Sequence, residues 1–297
     1  MSTSAPDPGP AAGQLPGGAG PYAEERAVAV AAAEAAGHML RERFRAPLTV
    51  RTKDASGDVV TALDLAAEEI VLARLRRHFP YDSILSEEAG MLDGPGHRTW
   101  LVDPLDGTNN VAVGLPAYVV GIALCVAGAP VLGVVHEPLT GRTWHAVSGH
   151  GAHADTGPLT GPDGRLPAPG PVIAWTQGHA VGRGNVRAAA LRQHLELGCR
   201  RVLQLWAPLL GWSMLARGTI DGFVGYRAEG LDLPAGALLA AESGVLLRTL
   251  GGGVFRPGFE GPGEDRSFVA ARADTLDYLL AQVAAVGARS PCRPRVS

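Results

Sequence analysis

Trp100-Leu101-Val102-Asp103-Pro104-Leu105-Asp106-Gly107-Thr108-Asn109-Asn110 decides how the rest of the chain is read. Thr99 to Val102 is a β-rich run that delivers two carboxylates, Asp103 and Asp106, at its end. They stand three residues apart across a turn stiffened by Pro104, so both reach one metal region. Oxygen donors delivered this way suit a hard cation such as Mg²⁺, which prefers carboxylates, carbonyls and water to nitrogen or sulfur. Gly107 and Thr108 then offer backbone N–H groups, an anion cradle if a helix begins there. A metal site beside an anion cradle implies phosphate chemistry. Taken in isolation, the segment also fits a capped turn or a calcium loop.

Working outward, residues 22–45 and Asp64 to about Phe79 read as helices that stop before Pro47 and Pro80. Ser83 to Leu85, Tyr118 to Val126, Val131 to His136 and Thr143 to Val147 are β-rich, with a hairpin at Ala127-Gly128-Ala129-Pro130. His136 reads as a strand-end loop residue and Cys125 as core. A Pro/Gly loop from Gly157 to Gly170 separates a second half, in which Val172 to Trp175, Val202 to Leu205 and Ile220 to Val224 are strands. Helical patterns at Asn185 to Leu197, Leu209 to Arg217 and Leu233 to Ser243 alternate with them, which points to layered α/β or α+β architecture. Further acidic groups fall at element ends: Glu87-Glu88 after the strand at Ser83, and Asp232 at the start of a late helix.

Composition excludes several classes of function. The 297 residues are 46% hydrophobic and 19% charged with a formal charge of −3, so a chain built to bind nucleic-acid polymers is not expected. No apolar run is long enough to cross a bilayer as a helix. Three scattered cysteines, Cys125, Cys199 and Cys292, fit neither a disulfide framework nor a thiolate metal site, and a reducing cytoplasm is expected. Residues 1–21, rich in Pro and Gly, and 289–297 read as disordered tails, with 22–156 and 170–288 as the two lobes of one domain. Of 26 basic residues a single one, Lys53, is lysine, and no P-loop can be written around it.

Four ordered segments resemble the inositol monophosphatase family, whose members are Mg²⁺-dependent phosphomonoesterases. Residues 100–110 follow its Trp-aliphatic-aliphatic-Asp-Pro-aliphatic-Asp-Gly-Thr-x-Asn pattern. Asp58-Val59-Val60-Thr61-Ala62-Leu63-Asp64 is similar to its Asp-aliphatic-Val-Thr-x-x-Asp element, and Ser86-Glu87-Glu88 stands where the family has Gly-Glu-Glu. Asp232-Leu233-Pro234-Ala235-Gly236 followed by Glu242-Ser243-Gly244 resembles its late Asp and Glu-Ala-Gly-Gly pair, and Gly149-His150-Gly151-Ala152 a family glycine turn. The resemblance implies an α+β, layered αβαβα sandwich of the inositol monophosphatase and fructose-1,6-bisphosphatase type. It also implies a cytoplasmic homodimer, two or three Mg²⁺ ions and a small phosphorylated metabolite as partner.

Carried over, the resemblance puts Glu87, Asp103 and the Leu105 carbonyl at one metal, and Asp103, Asp106 and Asp232 at a second. Asp64 would hydrogen-bond Thr108, and Thr108 with Glu87 would orient the attacking water. Lys53 would balance the acidic cluster or approach phosphate, and Gly107 and Thr108 would bind it.

The leaving-group side departs from the family pattern. Trp206-Ala207-Pro208 replaces a Gly-Ser/Thr-Ala element, Gly225 stands where inositol-specific members carry a glutamate, and Val111 and Leu231 replace aromatics. A substrate other than myo-inositol phosphate is therefore expected, one with different hydroxyl placement or one with a planar or apolar part able to stack: a phosphorylated sugar, aminocyclitol or nucleoside monophosphate of a specialised biosynthetic pathway. Trp206, Ala207, Gly225, Arg227, Asp106 and Asp232 are the candidate substrate contacts, with Tyr226 and Glu229 beside them. Two alternatives stay open: a bisphosphate phosphatase acting on a 3′,5′-bisphosphonucleotide or fructose 1,6-bisphosphate, and a family member that binds a phosphorylated ligand without turnover.

Overall fold

The computed structural model describes residues 20–46, 49–52, 59–161 and 168–288. Lys53, Asp58, Cys292 and nearly all of the two expected tails lie outside those residues. The first half of the chain contains α1 (Ala23–Arg43), β1 (Val50–Thr52), β2 (Val59–Thr61), α2 (Ala62–His78), β3 (Ser83–Ser86), β4 (Gly90–Leu92), β5 (Arg98–Asp106) and α3 (Thr108–Ala112). There follow β6 (Val119–Val126), β7 (Ala129–Glu137), β8 (Arg142–Val147), β9 (Ala152–Ala154) and β10 (Gly157–Pro158). The second half holds β11 (Val172–Gln177), α4 (Val186–Gly198), β12 (Arg201–Leu203), α5 (Pro208–Ala216), β13 (Gly222–Tyr226), α6 (Leu233–Glu242), β14 (Leu246–Thr249), β15 (Phe268–Ala271) and α7 (Ala273–Ala288).

Five layers stack in the order helices, sheet, helices, sheet, helices. The first sheet runs β10-β9-β8-β7-β6-β5-β3-β4 and is antiparallel except where β3 lies parallel to β5. The second runs β12-β11-β13-β15-β14, with β11 parallel to both of its neighbours. Helices α1 and α2 cover the outer face of the first sheet, α5 and α6 fill the space between the sheets, and α4 and α7 cover the outer face of the second.

The alternation of side chains along each strand explains why such a stack has four apolar cores. On β5, Trp100 and Val102 point to α1 and α2 while Leu101 points to the central helices. On β13, Val224 and Tyr226 face α4 and α7 while Phe223 faces the centre. Both faces of each sheet are thus covered, which gives continuous apolar runs such as Val119 to Val126. For the same reason α5, Pro-Leu-Leu-Gly-Trp-Ser-Met-Leu-Ala, is apolar almost all round, as befits a helix held between two sheets.

The hairpin expected at residues 127–130 joins β6 to β7. The segment after Ser243 holds β14, β15 and α7. His136 is not a loop residue: β7 continues through it, it is buried, and its Nδ1 lies 2.9 Å from the Thr143 hydroxyl, which donates on to Glu34 of α1. Those polar partners make its burial tolerable.

Candidate active site

The site lies at the end of β5, and a break in the strand makes it. Residues three apart on a regular strand point to opposite faces. Here Asp103 pairs with Gly121 while Asp106 pairs with Val119, so three steps on β5 match two on β6. The extra residue is a β-bulge at Pro104-Leu105, which turns both carboxylates to the same side. Leu105 N–H donates to Asp103 Oδ1 at 3.1 Å, closing the bulge on itself. Gly107 then takes φ +107°, a conformation costly for other residues, and a Cβ there would lie 2.7 Å from the Ala117 carbonyl. It starts α3, which carries Thr108 and Asn110.

Helix α2 fixes the threonine. Thr61 caps the helix by accepting from Leu63 N–H at 3.1 Å, and its own N–H and hydroxyl donate to Asp64 Oδ2 at 2.8 and 2.6 Å. The other oxygen of Asp64 accepts from the Thr108 hydroxyl at 2.6 Å, and the Leu105 carbonyl lies 3.0 Å from that hydroxyl. Asp64 is fully buried, so its two oxygens are spent on holding Thr61 and Thr108.

The central helices supply the other wall. The N-terminus of α5 donates to Asp106 Oδ2 through Leu209 N–H at 2.7 Å and Leu210 N–H at 3.3 Å. Asp232 stands at the N-terminus of α6, and oxygens of Asp103, Asp106 and Asp232 all lie within 4.8 Å of one another. Burial, first, and then Glu87, Asp106 and Asp232 push Asp103 well above the usual carboxylate range; Glu87 also hydrogen-bonds its side chain. Burial and the charge of Asp232 raise Asp106, and burial and Glu87 raise Asp232 to about 7. Four carboxylates converge here, each raising its neighbours, which is the electrostatic profile of a divalent-cation site and an all-oxygen donor set suited to Mg²⁺.

The remaining expected residues are distributed unevenly around this cluster. Asn110 Nδ2 donates to the Ala117 carbonyl at 2.6 Å and also to the Leu205 carbonyl, which ties the loop carrying Trp206 to α3. Ala207 is buried, whereas Trp206 is 62% exposed with φ +49°. Gly225 lies in β13, where a Cβ would fall 2.2 Å from the Phe268 ring. Arg227 pairs with Glu264 at 2.9 Å and its ring neighbour Tyr226 is buried on the α4 and α7 side, so neither is held by the carboxylate cluster. Two residues escaped sequence reading. His179, whose backbone N–H donates to Glu229 Oε1 at 2.7 Å, is among the charges acting on Asp232. Glu68 is a polar residue on α2 and is buried against the Glu87 turn.

The inositol monophosphatase family profile matches residues 22–287. The inositol-1-monophosphatase of Mycobacterium leprae is 35% identical over 249 residues, covering 78% of this chain and 80% of its own. The Nus factor SuhB of Escherichia coli K12 is 30% identical over 233 residues, covering 76% and 85%. Among solved structures, the extragenic suppressor protein suhB of Bartonella henselae superposes with a TM-score of 0.78 at 25% identity, covering 88% of this chain and 98% of its own. With this layered fold and a three-aspartate cluster at the bulge of β5, the chain belongs to the inositol monophosphatase family. It is a phosphatase, a phosphoric monoester hydrolase.

Proposed function

We propose that the chain is a Mg²⁺-dependent phosphomonoesterase that acts on a small phosphorylated sugar, cyclitol or nucleoside monophosphate and is not specific for myo-inositol phosphate. The observation that carries the metal reading is the cluster of Asp103, Asp106 and Asp232 oxygens within 4.8 Å. Glu87 and the Leu105 carbonyl complete a donor set able to take two or three ions. A bound divalent cation supplies charge neutralisation for the phosphoryl oxygens and a lowered pKa for water.

The chain's own residues divide the remaining work. Thr108 has committed its hydroxyl proton to Asp64, which leaves its oxygen as an acceptor for the O–H of a water in the site. Glu87 receives the water's second hydrogen bond, so two acceptors fix one nucleophile in the orientation for in-line attack. The N–H groups of Gly107 and Thr108 cradle the phosphate, and Lys53 adds positive charge. A homodimer and a cytoplasmic location belong to the same reading, supported by the family relationship.

Two features favour a leaving group unlike myo-inositol. The Phe268 ring fills the space a side chain at position 225 would need, so no carboxylate grips ring hydroxyls from there. Trp206, exposed beside the loop anchored by Asn110, offers an aromatic face to a planar or apolar group. The test is phosphate release by the full chain, with Mg²⁺ and with chelator, over sugar, cyclitol and nucleoside monophosphates and bisphosphates. Mg²⁺-dependent release from a non-inositol monophosphate is expected. No release from any ester removes the enzymatic reading, and a large preference for myo-inositol 1-phosphate removes the substrate reading.

A further inference from the structure

We propose that Glu68 is a positioning residue: it sets Glu87 against the aspartate cluster and so tunes metal affinity without touching metal or substrate. This rests on the function proposed above. Glu68 stands one helical turn after Asp64, so both carboxylates leave α2 on the same face. Asp64 holds Thr108. Glu68, only 7% exposed, holds the opposite side: its Oε1 accepts from the Ser86 hydroxyl, from Glu88 N–H at 3.1 Å and from Ala89 N–H at 2.9 Å.

Those three donors bracket Glu87. Its own N–H is committed to the Val102 carbonyl of β5 at 3.2 Å, so strand and carboxylate together pin the turn between β3 and β4. The turn so fixed carries the Glu87 side chain beside Asp103, its hydrogen-bond partner. Helix α2 therefore spaces the two groups proposed to orient water, Thr108 through Asp64 and Glu87 through Glu68. The partners of Glu68 all belong to the segment that carries the proposed metal ligand Glu87.

The experiment uses the full chain and the variants Glu68→Ala, Glu68→Gln and Ser86→Ala, comparing Mg²⁺ affinity by calorimetric titration, kcat/KM for phosphate release, and Tm. Glu68→Ala is expected to weaken Mg²⁺ binding and kcat/KM by about 10- to 100-fold at temperatures well below its Tm. Glu68→Gln keeps an oxygen for the same three donors and is expected to stay within about threefold of wild type, a rescue. Ser86→Ala, which removes one donor, falls between them and decides the matter if Glu68→Ala does not fold. A merely structural role predicts the opposite pattern: lowered Tm with unchanged Mg²⁺ affinity in Glu68→Ala, or in Ser86→Ala where that variant decides, and this overturns the inference. A wild-type chain that takes up no Mg²⁺ removes the reading of the site and this inference together. Wild-type uptake with unchanged variants removes the inference alone.

Discussion

The carboxylate end of β5 and the Trp206 loop are held in different ways. Around β5, Asp64, Thr61 and Thr108 satisfy one another through short hydrogen bonds inside the core, and Asp103 accepts from the Leu105 N–H. In the Trp206 loop the backbone is anchored, by Asn110 on Leu205 and by Asp106 on Leu209, but the indole itself is mostly exposed. The first region fixes its side chains, as the proposed phosphate-ester chemistry requires. The second fixes a backbone and leaves its side chain exposed, as the proposed recognition role requires. Chemistry and recognition can therefore be broken separately, and their mutational signatures should differ in kind.

The largest effect is expected from Asp103→Asn. The amide keeps an oxygen for the Leu105 N–H but removes one of the converging charges, and kcat/KM should fall by at least about 10³-fold. Stability should move the other way. In chelator, losing this buried carboxylate relieves its repulsion with Glu87, Asp106 and Asp232, and each kcal/mol relieved raises Tm by about 2–4 °C. Differential scanning calorimetry in EDTA checks the sign. A lowered Tm would mean that the protein compensates the cluster by itself, and retained turnover would remove Asp103 from the machinery.

Next comes Gly225→Glu, which places the inositol-type carboxylate where this chain has none. Phe268 packs there against Trp212 at 4.7 Å, Phe223 at 5.3 Å and Phe255 at 5.4 Å between ring centroids, so the new side chain must displace a rigid aromatic cluster. Overpacking plus a buried charge should cost about 3 kcal/mol or more, a Tm loss of about 6–12 °C. A variant as stable as wild type that gains activity on myo-inositol 1-phosphate would show that the pocket accepts such a ligand, and the proposed specificity boundary would fall.

The same contrast governs what could be read from sequence. Asp103, Asp106, Gly107 and Thr108 were legible because metal and phosphate chemistry dictate residue types at local spacing. The bulge that makes Asp103 and Asp106 neighbours was not, since it is a register shift between β5 and β6. Nor was the capping of Asp106 by α5, which joins residues 103 apart in the chain. Phe268-Val269-Ala270-Ala271 carries no alternation because both faces of β15 are buried, so its strand could not be told from a helical segment. Glu68 looked like any polar helix position, and its role appears only where the turn at Ser86 folds back on it.

The smallest effect, and the sharpest test of the contrast, belongs to Trp206. A non-glycine residue at φ +49° costs backbone energy that a glycine would not, so the indole is retained there against a local preference. If that side chain serves recognition, Trp206→Gly should leave Tm equal or higher while KM for an aromatic ester such as p-nitrophenyl phosphate rises. Stacking worth about 1 kcal/mol corresponds to roughly a fivefold change in KM. Glycerol 2-phosphate, which has no ring, should show no such rise, and kcat for both esters should hold because the carboxylates and Thr108 are untouched. Equal rises in KM for both esters would assign Trp206 to shaping the loop, and a fall in kcat would couple the indole to the carboxylate cluster.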